Sequence, residues 1–182
     1  EMESVLTSLR ADAGKMTEEA KELYAAGTDG SMFTTGGSWT SELTLGEVYR
    51  VEGKLLSIAA EEYTYYGGPH PNSASRTWNF DLTSGEFLTF DDLASQEGDV
   101  NGNTLQERIY WSIASQIGEQ NLNEGYFDDY DSYLLDFPSF AALRFTAAGM
   151  TVTFDNYIIA PYAAGPQVFE VPYDAFYSAL SE

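Results

Sequence analysis

The chain has 182 residues, 43% of them hydrophobic, with 13 Tyr, 11 Phe and three Trp, so it carries enough buriable surface for one core and excludes a disordered acidic tail. Twenty-nine acidic against eight basic side chains give a formal net charge of -21, which disfavours attraction to nucleic acid or anionic lipid and favours a basic partner. The lack of cysteine excludes a disulfide framework and a thiolate zinc site, and the single histidine excludes a multi-histidine one.

From Val5 the apolar positions Leu6, Leu9, Ala13, Met16, Ala20 and Leu23 recur at spacings of three and four, predicting a long helix that ends at Gly27. The stretch "GSMFTTGGSWTSE" mixes Gly, Ser and Thr with two aromatics and reads as an irregular lead-in, so residues 1–47 form an N-terminal helix and approach to the main body. Two β-rich runs follow, Val48 to Val51 and Leu55 to Tyr66, separated by the turn Glu52-Gly53-Lys54. After the loop "YYGGPHPN", the run "RTWNFDL" alternates Trp78, Phe80 and Leu82 with Thr77, Asn79 and Asp81, the period of a half-buried strand, and Thr83-Ser84-Gly85 turns it back.

Asp91 or Asp92 can cap a short helical turn. A main second helix should start near Asn103, with Gln106 completing a capping box, and carry Leu105, Ile109, Ile113 and Ile117 inward. "YFDDYDSY" reads as an acidic, aromatic connector. "ALRFT" and "MTVTF" alternate as strands around Ala147-Ala148-Gly149, the loop "NYIIAPYAAGP" follows, and strand "QVFEV" leads to a short amphipathic helix bearing Phe176, Ala179 and Leu180.

This order predicts one α+β domain over residues 1–182: an antiparallel sheet with the long N-terminal helix and the second main helix packed on one face, and a short C-terminal helix. Neither G-x-G-x-x-G nor G-x-x-x-x-G-K-[ST] occurs, and no cofactor is expected. No apolar run approaches the ~20 residues needed to span a bilayer, and "EMESVLTSL" lacks the regions of a secretory signal.

His70 sits between two prolines and could be a base, a ligand, a recognition tip or part of a rigid turn. It has no nucleophile elbow or cysteine to activate. The carboxylate pairs Glu61/Glu62, Asp91/Asp92 and Asp128/Asp129 invite comparison with glycosidases, whose two acids stand ~5–9.5 Å apart across a cleft. Neighbours on a strand point to opposite faces, however, and a chain this acidic contains adjacent acids by composition alone. "DVNGN" at 99–103 opens like a calcium loop but puts Thr104 at position six and Tyr110 at position twelve, so a turn with a helix cap is expected there.

Two segments carry a family resemblance. "YTYYGGPHPNSASRTWNFDLTSGEFLTFDDLA", Tyr63 to Ala94, resembles the pattern Y-T-G-G-A-H-P followed by a strand, F-D-L-x-T-G and a D-L-F ending, and "GMTVTFDNYIIAPYAAGPQVFEVPYDAF", Gly149 to Phe176, resembles a strand, a Tyr, A-P-Y-A-x-G and a final strand with Pro. These are signatures of the C-terminal domain of RsiV-type anti-sigma factors, a domain also found beside PdaC-type peptidoglycan deacetylases. Departures are Pro69 for Ala, Ala94 for Phe and Asn156 for Pro.

The resemblance implies a noncatalytic, extracytoplasmic binding domain of a bacterial envelope protein, with any signal or anchor belonging to a longer parent, and lysozyme, a basic protein, as partner. It places Tyr66, Gly67, Gly68 and His70 in one signature loop and Tyr157, Pro161, Tyr162 and Gly165 in another, with peptidoglycan as a further possible ligand. The alternatives are a cell-wall carbohydrate-binding module or glycan hydrolase using clustered aromatics and paired carboxylates, and an envelope protein of structural role. No oligomeric state follows from the sequence.

Overall fold

The computed structural model describes residues 40–51, 54–65, 69–94, 98–119 and 125–180, together with Thr7 and Ala11, which are helical. The rest of the expected N-terminal helix and lead-in up to residue 39 lies outside the described residues, as does the Glu52-Gly53 part of the expected turn. The described part is α+β, with two three-stranded antiparallel sheets where a single sheet was expected. No helix among the described residues is long and apolar enough to cross a membrane.

The first sheet runs β1 (Thr40–Val51), β2 (Leu55–Tyr65), β3 (Asn72–Asp81) in that spatial order. β1 starts eight residues earlier than the expected Val48, because a bulge lets it continue. Leu45 faces Ala60 and Val48 faces Ile58, so Gly46 and Glu47 together oppose Ala59. A Cβ on Gly46 would lie 3.3 Å from the Ala59 carbonyl oxygen, which is why the interruption carries glycine. Ile58, Ala60, Trp78 and Phe80 form a small buried cluster on one face, with Leu43 and Leu56 against it.

The second sheet contains β4 (Ala141–Phe145), β5 (Gly149–Phe154) and β6 (Gln167–Pro172). Helix α2 (Leu105–Glu119) covers it: Leu105, Ile109, Ile113 and Ile117 are at most 1% exposed and share one core with Met150, Val152, Phe154 and Phe176. The expected inward stripe is therefore the observed one. Its cap stands one residue later than expected: Thr104 accepts the Glu107 N–H at 3.1 Å while Glu107 accepts the Thr104 N–H at 2.8 Å, a capping box to which Asn103 and Gln106 do not contribute.

Helix α1 (Phe90–Leu93) is capped by Thr89, with Asp92 returning the bond, so the aspartate is the third helical residue and not the cap. The acidic connector also folds. It carries α3 (Tyr130–Leu135) and is followed by α4 (Phe137–Phe140), because Leu134 and Phe137 drop fully into the core. Helix α5 (Tyr173–Phe176) and a 3₁₀ turn (Tyr177–Ala179) close the chain, with Phe176 and Ala179 buried and Leu180 half-buried.

Asp99 makes the turn expected of "DVNGN": its carboxylate accepts the N–H groups of Asn101 at 2.7 Å and Asn103 at 2.9 Å. The Asn103 N–H chiefly, against the opposing effect of burial, holds this carboxyl below the usual range, helped by the Asn103 and Asn101 bonds and the Arg108 charge. Among the described residues no cluster of three or more metal-ligating side chains occurs.

The two sheets meet along a polar seam. The Phe145 N–H donates to Ser57 Oγ at 3.0 Å, Ser57 donates to Asn79 Oδ1 at 2.7 Å, and Asn79 Nδ2 donates to the Leu143 carbonyl at 3.0 Å. Thr77 Oγ1 accepts the Leu143 N–H at 3.2 Å. Side chains of β2 and β3 thus bond to the outer edge of β4, which has no strand beside it among the described residues. This corrects the half-buried reading of β3: Trp78 and Asn79 are both 6% exposed, since the polar face is covered as well.

Leaving a buried donor or acceptor without a partner costs about 1–3 kcal/mol. Asn79→Leu strands both the Leu143 carbonyl and the Ser57 hydroxyl and should lower unfolding stability by on the order of 3 kcal/mol, read as a lower urea midpoint at unchanged slope. A loss below about 1 kcal/mol would show that the seam contributes little.

Candidate functional site

The loop after β5 begins at Asp155 and is pinned from below by Ile159 and Ala160, at 0% and 2% exposure, and by the Phe127 N–H donating to the Ile159 carbonyl at 2.9 Å. Between these anchors Tyr157 takes a left-handed backbone conformation, φ 68°, and projects outward, 52% exposed. A non-glycine residue in this region costs roughly 1–2 kcal/mol. Its N–H donates to the Ala160 carbonyl at 3.1 Å, closing the turn.

Pro161 then leads into a 3₁₀ turn, Tyr162–Ala164, ended by Gly165 at φ 72°. Gln167 holds that turn by donating to the carbonyls of Ala164 and Gly165 at 3.1 and 3.0 Å, while Tyr126 donates to its side-chain oxygen at 3.1 Å.

His70 comes to this loop from the approach to β3. Its ring stacks on Tyr162 with centroids 3.9 Å apart and planes 23° off parallel, and lies 6.1 Å from the Tyr157 ring. Nδ1 is 2.9 Å from the Pro71 carbonyl oxygen, which can only accept, so Nδ1 carries a proton. In the neutral ring Nε2 is then an acceptor, and the Tyr157 hydroxyl stands 3.2 Å from it. Tyr162 donates to the same Pro71 carbonyl at 3.1 Å. Both ring nitrogens are engaged, one by backbone and one by a phenol.

Five of the eight residues singled out in the sequence fall in the described part. His70, Tyr157 and Tyr162 meet in one aromatic clasp across 87 to 92 positions of chain, whereas Pro161 and Gly165 frame the turn that presents Tyr162. Tyr66, Gly67 and Gly68 lie outside the described residues. Of the carboxylate pairs, Glu62 is bonded to Arg76 at 2.8 Å and half-buried while Glu61 is exposed. Asp92 serves the α1 cap, and Asp128 and Asp129 are exposed.

Sequence reasoning missed Asp155. Its two carboxylate oxygens take the Ser75 N–H at 2.9 and 3.1 Å, tying the start of the tyrosine loop to β3 just beyond the histidine. Burial pushes this carboxyl up, with the Ser75 bonds and Arg76 opposing and Glu61 adding to the rise. One acid among twenty-nine gave no signal of this role. The Asn156 side-chain oxygen beside it is buried with no hydrogen-bond partner among the described residues.

Residues 91–174 match the family model described as protein of unknown function, DUF3298. The matched span contains Asp155 and the tyrosine loop and stops short of His70. No curated protein matches the chain. Among solved structures it is similar to a DUF3298 family protein from Pseudomonas aeruginosa PAO1, at TM-score 0.59 and 18% identity over 87% of this chain and 68% of that one. It is also similar to a DUF3298 family member from Bacteroides fragilis, at TM-score 0.57 and 18% identity over 91% of this chain and 63% of that one. At such identity the likeness concerns the fold.

Asp155 supplies a pH signature. A carboxyl raised above its ordinary value of 3.8 binds its proton more tightly folded than unfolded, so stability falls as pH rises from 3.8 through the raised value and is level above it. Asp155→Asn cannot ionise and should remove that component. The difference between wild-type and variant thermal midpoints should therefore shift in favour of the variant across that window. A difference independent of pH would mean that Asp155 is not raised.

Proposed function

We propose that this chain is a noncatalytic, extracytoplasmic binding domain similar to the RsiV ectodomain, taking a basic protein such as lysozyme as its partner. The observation that carries this reading is the clasp itself. Two loops far apart in sequence converge on one pinned patch from which Tyr157 stands out half-exposed despite a costly backbone conformation.

The electrostatics support the same partner. Of the five described basic side chains, Arg76 is paired with Glu62, Arg108 lies 3.8 Å from Asp99, and Arg144 is paired with Glu47, so the surplus acids dominate the open surface. Such a field steers a basic protein from beyond contact and weakens as the Debye length contracts to about 8 Å at physiological salt. Affinity that survives salt must come from desolvated anchors, for which tyrosine is well suited. The noncatalytic reading is supported by His70, whose two nitrogens are committed to Pro71 and Tyr157 rather than to a hydroxyl nucleophile and an orienting carboxylate.

Calorimetric titration with a basic lysozyme at low and at physiological salt tests the proposal, using wild type and Tyr157→Ala. Saturable binding should persist at physiological salt and weaken by about tenfold or more in the variant, as truncation of an aromatic anchor does. Binding that disappears with salt, or is indifferent to Tyr157, would contradict it. Saturable binding of peptidoglycan fragments in place of lysozyme would favour the carbohydrate reading.

A further inference from the structure

Side chains alternate across a strand, and Ser57, Thr77 and Asn79 point to β4, so their neighbours Ile58, Trp78 and Phe80 point away from the second sheet. The strand registers put Ala60, Leu43 and Leu56 on that same outer face. These six form the small apolar cluster of the first sheet, which shares no residue with the core of the second. On a bare sheet face an indole is screened only from its sides, yet Trp78 is 6% and Phe80 3% exposed. These are the exposures of a single chain, so the cover belongs to the same chain.

The described helices do not supply it. Their buried apolar side chains, from Leu93 to Phe176, all belong to the core of the second sheet. β4 lies against the opposite face of β2 and β3. Phe87 reaches the rim, its ring 5.8 Å from that of Phe80, but is itself exposed. Beyond Thr40, the stretches outside the described residues run to five residues at most, too few for a layer over a sheet. Residues 1–39 are long enough, and they enter β1 of this same sheet at Thr40.

We propose that the amphipathic segment from Val5 to Gly27 docks as a helix on this outer face, its stripe of Leu6, Leu9, Ala13, Met16, Ala20 and Leu23 laid over Ile58, Trp78 and Phe80. The dimensions agree. At ~1.5 Å per residue this segment spans ~35 Å as a helix, and the 11 residues of β2 at ~3.3 Å each span about the same. A helix ~10 Å wide covers two strands ~4.8 Å apart and leaves the third open, which fits the exposure of Leu45 and Val48 on β1 beside the covered residues of β2 and β3. Thr7 and Ala11, one turn apart, are helical and exposed. At about 100° per residue they stand on the side away from the stripe, as a docked helix requires. The N-terminal segment and α2 then cover different sheets instead of one shared face.

Because the chain has no cysteine, a nitroxide can be attached at Ala11→Cys alone, an exposed position off the docked stripe. In the full chain the amide signals of Ile58 and Trp78 should lose most of their intensity to the label, while those of Ile109 and Ile113 in the other core keep theirs. A mixture of labelled chain with isotopically enriched, unlabelled chain should show no loss, since the contact lies within one chain. In a W39F/W111F background, where Trp78 is the sole indole, L9E/M16E should shift its emission to longer wavelength and raise its quenching by acrylamide severalfold, with the Val152 amide still protected from exchange, and T7E/A11E should do neither. Absent or uniform broadening in the labelled chain, broadening in the mixture, which would assign the cover to a second copy, or a Trp78 indifferent to L9E/M16E would overturn the proposal.

Discussion

The architecture depends on how the outer edge of β4 is satisfied. A strand edge buried without partners would leave several backbone groups unpaired, at a cost that a domain of this size could not absorb. Here the partners are not a fourth strand but Ser57, Thr77 and Asn79, which form the polar face of the first sheet and reach the Leu143 and Phe145 backbone. Because these bonds require specific donor and acceptor positions, they set the relative placement of the sheets more narrowly than apolar contact would. That placement brings the approach to β3 alongside the loop after β5, where Asp155 takes the Ser75 N–H and His70 stacks on Tyr162.

Consequently the aromatic clasp is a product of the seam and also a second lock upon it. Both ring nitrogens of His70 and the hydroxyls of Tyr157 and Tyr162 are engaged within the clasp, which leaves the Tyr157 face to solvent. The surrounding charge acts at a different range. A formal net charge of -21 sets up a field that reaches well beyond contact distance.

Much of the fold was legible because apolar periodicity is strong where one face is buried. The Leu105, Ile109, Ile113, Ile117 stripe and the β4–β5 alternation around Ala147-Ala148-Gly149 are of that kind. The failures have equally local causes. The bulge at Gly46 and Glu47 broke the alternation that would have revealed the length of β1. The acidic surface of residues 128–136 concealed the two core positions, Leu134 and Phe137, that make helices of it. The division into two sheets turned on Asn79, whose polarity signalled solvent when its real partner was a backbone carbonyl 64 positions away.

The site was half legible for a similar reason. Histidine, tyrosine, proline and glycine in short punctuated loops marked both halves of the clasp, but nothing in the spacing showed that they touch. Asp155, which joins the loops, was one acid among many. The most direct test of the account is native-state hydrogen exchange of the Ser75, Leu143 and Phe145 amides, the three backbone donors across the sheet-to-sheet junction. If the seam governs the architecture, they should exchange as slowly as the amides inside β5 and by the same cooperative opening. Exchange far ahead of β5 would contradict it, because the sheets would then part locally while each remained folded.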